Sequence, residues 1–183
     1  MKKILVLLLV CMGVFYGCAR VQSNNPSALK EGDIVFQTSK SKQAPLVALA
    51  TKSAYTHCGI IVFKDDQPYV LEASTVVKCT PYKEWINRGV GKVCHRRRVF
   101  KNKDIKIRYK KYLGKPYDLQ FKFNNGKYYC SELVYEIYKE QLDTVLCAAK
   151  KVKQYYLPDK VKRAMKRRNI SEDQLVVAPC DLL

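Results

Sequence analysis

The 183-residue chain is long enough for one domain with its own core, and 34 Lys and Arg against 16 Asp and Glu give it a formal net charge of +18. Such a balance favours anionic partners such as a membrane surface or an acidic polymer, but no nucleic-acid motif accompanies the basic stretches 96–98, 101–115 and 150–168, so no nucleic-acid function is expected and a solvated basic surface that keeps the domain soluble is the plainer reading. Eight cysteines without a CxxC pair argue against a structural zinc site and a small disulfide scaffold, and neither metal nor cofactor is expected.

Lys2 and Lys3 precede an uncharged run from Ile4 to Tyr16, the layout of an export signal and too short to span a bilayer comfortably. Gly17-Cys18 at its end resembles a lipoprotein processing site, where Cys18 would become the lipidated first residue. An ordinary signal peptide with an incidental cysteine is the alternative. The chain is accordingly divided into a signal peptide (1–17), a polar tether behind the lipid-bearing Cys18 (18–29) and one folded domain (30–183). Loss of Lys2 and Lys3 with the signal leaves +16. The expected location is outside the cytoplasm, on the periplasmic or cell-surface side of a membrane to which acyl chains hold the protein.

In the domain, Gly32-Asp33 reads as a turn into a strand at 34–36, and the apolar stretch 45–52 as a short helix. Residues 56–63 and 69–73 are β-rich and flank Asp65-Asp66-Gln67-Pro68, which predicts a hairpin; residues 76–78 extend the sheet. Thr80-Pro81 predicts a helix start, with Thr80 as the capping hydroxyl, ending before Gly89. A strand over 93–100 and a helix over 103–113, stopped by Gly114 and Pro116, follow. Asn124-Asn125-Gly126 is a turn, residues 130–141 are the clearest helix, and a basic helix near 158–168 and a strand near 175–178 close the chain. The mixture predicts an α+β domain with a mostly antiparallel sheet packed against helices.

Two histidines are present. His95 lies in Cys94-His95-Arg96-Arg97-Arg98, among cations that disfavour its protonation, and reads as a surface residue. His57 lies in the first hairpin strand. If Asp65-Asp66 forms a two-residue turn, Gly59 faces Glu72 and His57 faces Ser74, which makes His57 and Glu72 diagonal neighbours on one face. A carboxylate there would fix the imidazole tautomer. The same spacing suits an exposed Glu72 and a buried, backbone-bonded His57. Cys130 sits at i, with Leu133, Val134, Ile137 and Tyr138 at i+3, i+4, i+7 and i+8, so it shares the inward face of its helix and lies in the first turn, where unpaired N–H groups stabilise a thiolate. A plain core cysteine is the alternative.

Several separated motifs add to this. Gly32-Asp33-Ile34-Val35-Phe36-Gln37, Tyr55-Thr56-His57-Cys58-Gly59-Ile60, Leu71-Glu72-Ala73, Gly114-Lys115-Pro116-Tyr117-Asp118 and Tyr129-Cys130-Ser131-Glu132-Leu133 resemble, in family order over roughly residues 31–140, the YiiX/YebB-like cysteine hydrolases. The resemblance implies a circularly permuted papain-like fold of the NlpC superfamily. It also implies Cys130 as nucleophile, His57 as base and Glu72 as the acidic third residue, acting through a thioester acyl-enzyme on an amide such as a cell-wall peptide or an amide-containing small molecule. Lipid-directed acyl transfer or lipid-amide hydrolysis, and a non-catalytic ligand-binding module on the same fold, are the competing expectations. Tyr117 and Asp118 are placed in the cleft wall. Nothing in the sequence sets the oligomeric state.

Overall fold

The computed structural model describes residues 29–96 and 105–183. Cys18, the signal peptide and the tether up to residue 28 lie outside the described residues, as do 97–104.

Among the described residues, seven strands and four helices occur in the order β1 (Ile34–Thr38), α1 (Ala44–Thr51), β2 (His57–Lys64), β3 (Gln67–Ala73), β4 (Val77–Pro81), α2 (Tyr82–Arg88), β5 (Val90–Arg96), α3 (Cys130–Gln141), β6 (Lys150–Lys151), α4 (Asp159–Arg167) and β7 (Leu175–Val176). The main sheet has the order β4-β3-β2-β1-β5, every pair antiparallel, and β6 and β7 form a separate ribbon. The α+β expectation holds.

The period of two along each strand divides the sheet into two faces. One face carries Ile34, Phe36, Cys58, Ile60, Val62 and Leu71 and packs on Leu133, Val134, Ile137 and Tyr138 of α3. The other carries Val35, Ile61 and Val70 and packs on Tyr82 and Trp85 of α2. A third cluster joins Leu46 and Ala50 of α1 to Val152, Val161 and Met165.

The hairpin register is the expected one. Lys64 pairs with Gln67 and Ile60 with Leu71, while Asp65 and Asp66 both take positive φ, 47° and 59°, as a two-residue hairpin turn requires. Continuing the ladder sets Gly59 against Glu72. A Cβ at Gly59 would come within 2.8 Å of the Leu71 carbonyl oxygen and 2.3 Å of Val70 Cγ1. Gly59→Ala is therefore expected to lower stability by about 1–3 kcal/mol through overpacking, read as a fall in the denaturant midpoint at constant slope; an unchanged midpoint would show that β3 can move aside.

Two predicted elements differ. The helix over 103–113 is absent from its described part: residues 105–109 carry no helix, and only a short 3-10 turn forms at 110–112. The backbone N–H groups there are taken by distant side chains, Ile107 donating to Glu31 Oε1 at 2.9 Å and Arg108 to Gln141 Oε1 at 2.8 Å. Thr80 does not cap α2 either. It belongs to β4, Pro81 takes the N-cap position, and the Thr80 hydroxyl is directed elsewhere.

Candidate active site

The three residues singled out for catalysis, His57, Glu72 and Cys130, come together. His57 opens β2 at the end of the sheet, and its Nε2 lies 2.6 Å from Glu72 Oε2. Cys130, the first residue of α3, hydrogen-bonds the same imidazole, which leaves Nδ1 as the nitrogen facing the sulfur. All three are buried, Cys130 at 4 %, His57 at 9 % and Glu72 at 1 % exposure. His57 and Glu72 stand on the α2 face of the sheet while Cys58 faces α3, yet Cys130 meets both His57 and Cys58, because it lies where β2 begins and the two faces meet.

Glu72 is held by more than the ring. Its Oε1 accepts from Thr80 Oγ1 at 2.6 Å and from the Arg88 guanidinium, and its Oε2 accepts from Trp85 Nε1 at 3.1 Å. Burial opposes its charge, but His57, Thr80 and Arg88 outweigh that and hold its carboxyl at about 2. A carboxylate with four donors is fixed in ionisation and in orientation. Trp85 also lies beside the imidazole, ring centroids 6.0 Å apart.

Burial likewise opposes a charged His57, and the hydrogen bonds and charges of Cys130 and Glu72 overcome it, raising the imidazole to about 9. The Cys130 thiol is driven well below its ordinary value. The Cys58 thiol contributes most, against burial, with the His57 ring and the Cys58 backbone N–H adding to it. Cys58 itself is pushed well up by burial and by its neighbour's charge, so it stays a thiol and donates. Both shifts favour a thiolate beside an imidazolium. Burial, with Asp118 and Glu136 nearby, pushes Glu132 up to about 8.

Residues on either side of Cys130 fix the first turn of α3. Ser131 Oγ donates to the Val177 carbonyl at 2.7 Å, and the Val177 N–H donates to Tyr129 Oη at 3.1 Å. Asp118 is a loop organiser and not a cleft wall: its carboxylate accepts from the N–H groups of Gln120 and Lys122 and from Asn125 Nδ2, at 2.9, 2.6 and 3.0 Å, and so shapes the turn leading to Cys130. Tyr117 does face the cleft, its hydroxyl accepting from Gln43 Nε2 at 2.8 Å. His95 lies on β5 opposite Val35, away in register from this site.

The family comparison agrees with this arrangement. A profile of the permuted papain-like amidases, the YaeF/YiiX or C92 family, matches residues 28–183. The chain belongs to that family. It is a cysteine hydrolase of the amidase or peptidase kind. It is also similar to the YiiX protein of Escherichia coli strain K12, with 38 % identity over 158 residues that cover 81 % of this chain and 78 % of YiiX. Among solved structures it is similar to the crystal structure of "metalloprotein yiiX" from Escherichia coli O157:H7. The TM-score is 0.74 at 35 % identity, over 84 % of this chain and 91 % of that one. Among the described residues, no group of three or more His, Cys, Asp or Glu is placed to hold a metal ion.

Sequence reasoning missed Thr80, Trp85, Arg88 and Cys58 as site residues. Trp85 and Arg88, three apart on one short helix, were a readable signal. Cys58 was not, because strand alternation sends it to the face opposite His57.

Proposed function

We propose that Cys130, His57 and Glu72 hydrolyse an amide through a thioester on Cys130. The observation that supports this reading is a single buried imidazole with a carboxylate on one ring nitrogen and a thiol on the other. The Cys130 thiolate attacks the carbonyl carbon, and N–H groups at the start of α3 receive the negative charge that develops on oxygen. The C–N bond breaks as His57 Nδ1–H passes its proton to the leaving nitrogen. The neutral ring then takes a proton from water, hydroxide adds to the thioester, and the C–S bond breaks to restore thiolate and imidazolium. In the same reading the enzyme is exported and tethered to a membrane through Cys18, with its cationic surface toward anionic headgroups.

Alkylation by iodoacetamide, followed by peptide mass mapping, tests the pair without a known substrate. At pH 7 Cys130 is expected to react about tenfold faster than Cys79 or Cys147, and its rate to stay level as pH falls from ~8.5 to ~6, where an ordinary thiol loses about tenfold per unit. In His57→Ala the advantage should vanish. Hydrolysis should decline above about pH 9 as the imidazolium is lost. Uniform labelling of all thiols, or a Cys130 rate that climbs with pH like a free thiol, would leave only a ligand-binding module.

A further inference from the structure

Cys130 has a second partner besides the imidazole. His57 and Cys58 are consecutive, so β2 sends the ring to one face of the sheet and the Cys58 side chain to the other, and Cys130 stands where it meets both. Two donors of Cys58 reach one atom: its thiol and its backbone N–H both hydrogen-bond Cys130 Sγ. The two sulfurs are therefore in contact, and the Cys58 backbone lies within a side-chain length of the Cys130 sulfur. That disposition suits a disulfide, whose Cα atoms must come within about 7 Å of each other. Both cysteines are unbridged. Cys79 and Cys180 belong to other neighbourhoods, the first with Lys64 and Glu31, the second with Asp181 and Lys150.

We propose that Cys58 and Cys130 form a site of reversible oxidative modification: a peroxide oxidises Cys130, and Cys58 closes the product to a disulfide that shuts off the nucleophile and preserves it. This rests on the thiolate reading of Cys130 given above and adds a regulation of that same site.

Exposure sets the order of events. Cys130 is 4 % exposed and Cys58 0 %, so a small peroxide meets Cys130 first. The thiolate attacks one peroxide oxygen, the O–O bond breaks, and Cys130 becomes a sulfenic acid. The departing hydroxide or alkoxide takes the proton of the His57 imidazolium. Sulfur has lost two electrons and the peroxide has gained them. The negative charge that helped to hold the proton on Cys58 is then gone. Cys58 Sγ attacks Cys130 Sγ, the S–OH bond breaks, and the hydroxyl leaves with the Cys58 proton as water. A dithiol reductant restores both thiols and becomes a disulfide itself. Without a second thiol in contact, the sulfenic acid meets further peroxide and passes to a sulfinic acid, which dithiols do not reduce.

The test treats the full chain, freed of reductant, with hydrogen peroxide at about pH 7, where the Cys130 thiolate is populated. Peptic digestion in acid, where thiol exchange stops, then maps the sulfurs. The expected product has lost two hydrogens and joins the Cys58 peptide to the Cys130 peptide. Iodoacetamide labelling of Cys130 should fall about tenfold or more and return with dithiothreitol. In Cys58→Ser, Cys130 should instead gain two oxygens, and dithiothreitol should restore little of its labelling. Should that variant misfold, the wild-type linkage map decides alone. Cys130 found as sulfinic acid in the wild type with Cys58 still a thiol, a bridge from Cys130 to any other cysteine, or no oxidation of Cys130 overturns the proposal. In each of these cases faster alkylation of Cys130 than of Cys79 and Cys147 keeps the hydrolase reading. A Cys130 that neither oxidises nor alkylates ahead of the other thiols ends both.

Discussion

Glu72→Gln is expected to lower folding stability by about 3–5 kcal/mol and to slow acyl transfer roughly 10²- to 10⁴-fold. Glu72 Oε1 faces the Thr80 hydroxyl and Arg88, and Oε2 faces His57 and Trp85. Whichever way a glutamine amide turns, its NH2 meets two donors, and Arg88 loses its buried counter-charge. The His57 ring also loses its anchor and one source of its raised pKa. The pH dependence gives a separate readout. Glu72 is held at about 2 against an ordinary 4.5, so its contribution is complete above 4.5 and is lost as pH falls through about 2. His57 is raised from 6.5 to about 9, so its contribution is complete below 6.5 and is lost as pH rises through about 9. The wild type should thus lose resistance to urea as pH falls from about 4.5 toward 2, and Glu72→Gln should have a flatter profile over that range. Equal urea midpoints for the two proteins at pH 5.5 would refute the role given to this carboxylate.

Cys130→Ala is expected to remove hydrolysis by roughly 10⁵-fold or more, because the nucleophile and its base act as a unit. His57→Ala should cost nearly as much, and the double variant little more than either. The same substitution has a signature in the resting protein. Cys130 raises His57 by hydrogen bond and by charge, so in Cys130→Ala the imidazole should titrate lower than about 9. Proton NMR of the His57 ring would follow this directly. A titration unmoved by the substitution would mean that the sulfur and the ring do not share a proton. Cys130→Ser separates the two effects further, since a hydroxyl keeps the hydrogen bond and lacks the anion.

The strands were largely legible because their signals are local. Asp65-Asp66 fixed the hairpin register, and that register placed Glu72 diagonally from His57 on one face. The spacing of Leu133, Val134, Ile137 and Tyr138 placed Cys130 on the buried side of α3. What escaped depended on contacts between distant segments. Thr80 looks like a helix cap in sequence, and only the pairing of β3 with β4 shows that its hydroxyl serves Glu72. The apolar positions at 105–113 suit a helix, but Glu31 and Gln141, far away in the chain, claim the backbone donors that a helix needs. The basic C-terminal third carried no recognisable motif, and its inward residues divide between the main core, which takes Val177 and Leu182, and the third cluster, with partners drawn from α1 and the segments around α4. Cys58 had no signal beyond its place after His57; its effect on Cys130 depends on α3 starting where β2 starts.

The bonds from Val177 to Ser131 and Tyr129 tie the start of α3 to a residue 46 places beyond Ser131 in the chain. A copy trimmed after about residue 145 would keep every recognisable motif and all three reactive side chains, but not this tie. The setting of Cys130 therefore depends on chain well beyond the motifs: a molecule clipped before Val177 would carry the reactive trio without this fixed helix start. For anyone preparing a minimal version of the enzyme, the segment around Val177 belongs with the chemistry and should be kept.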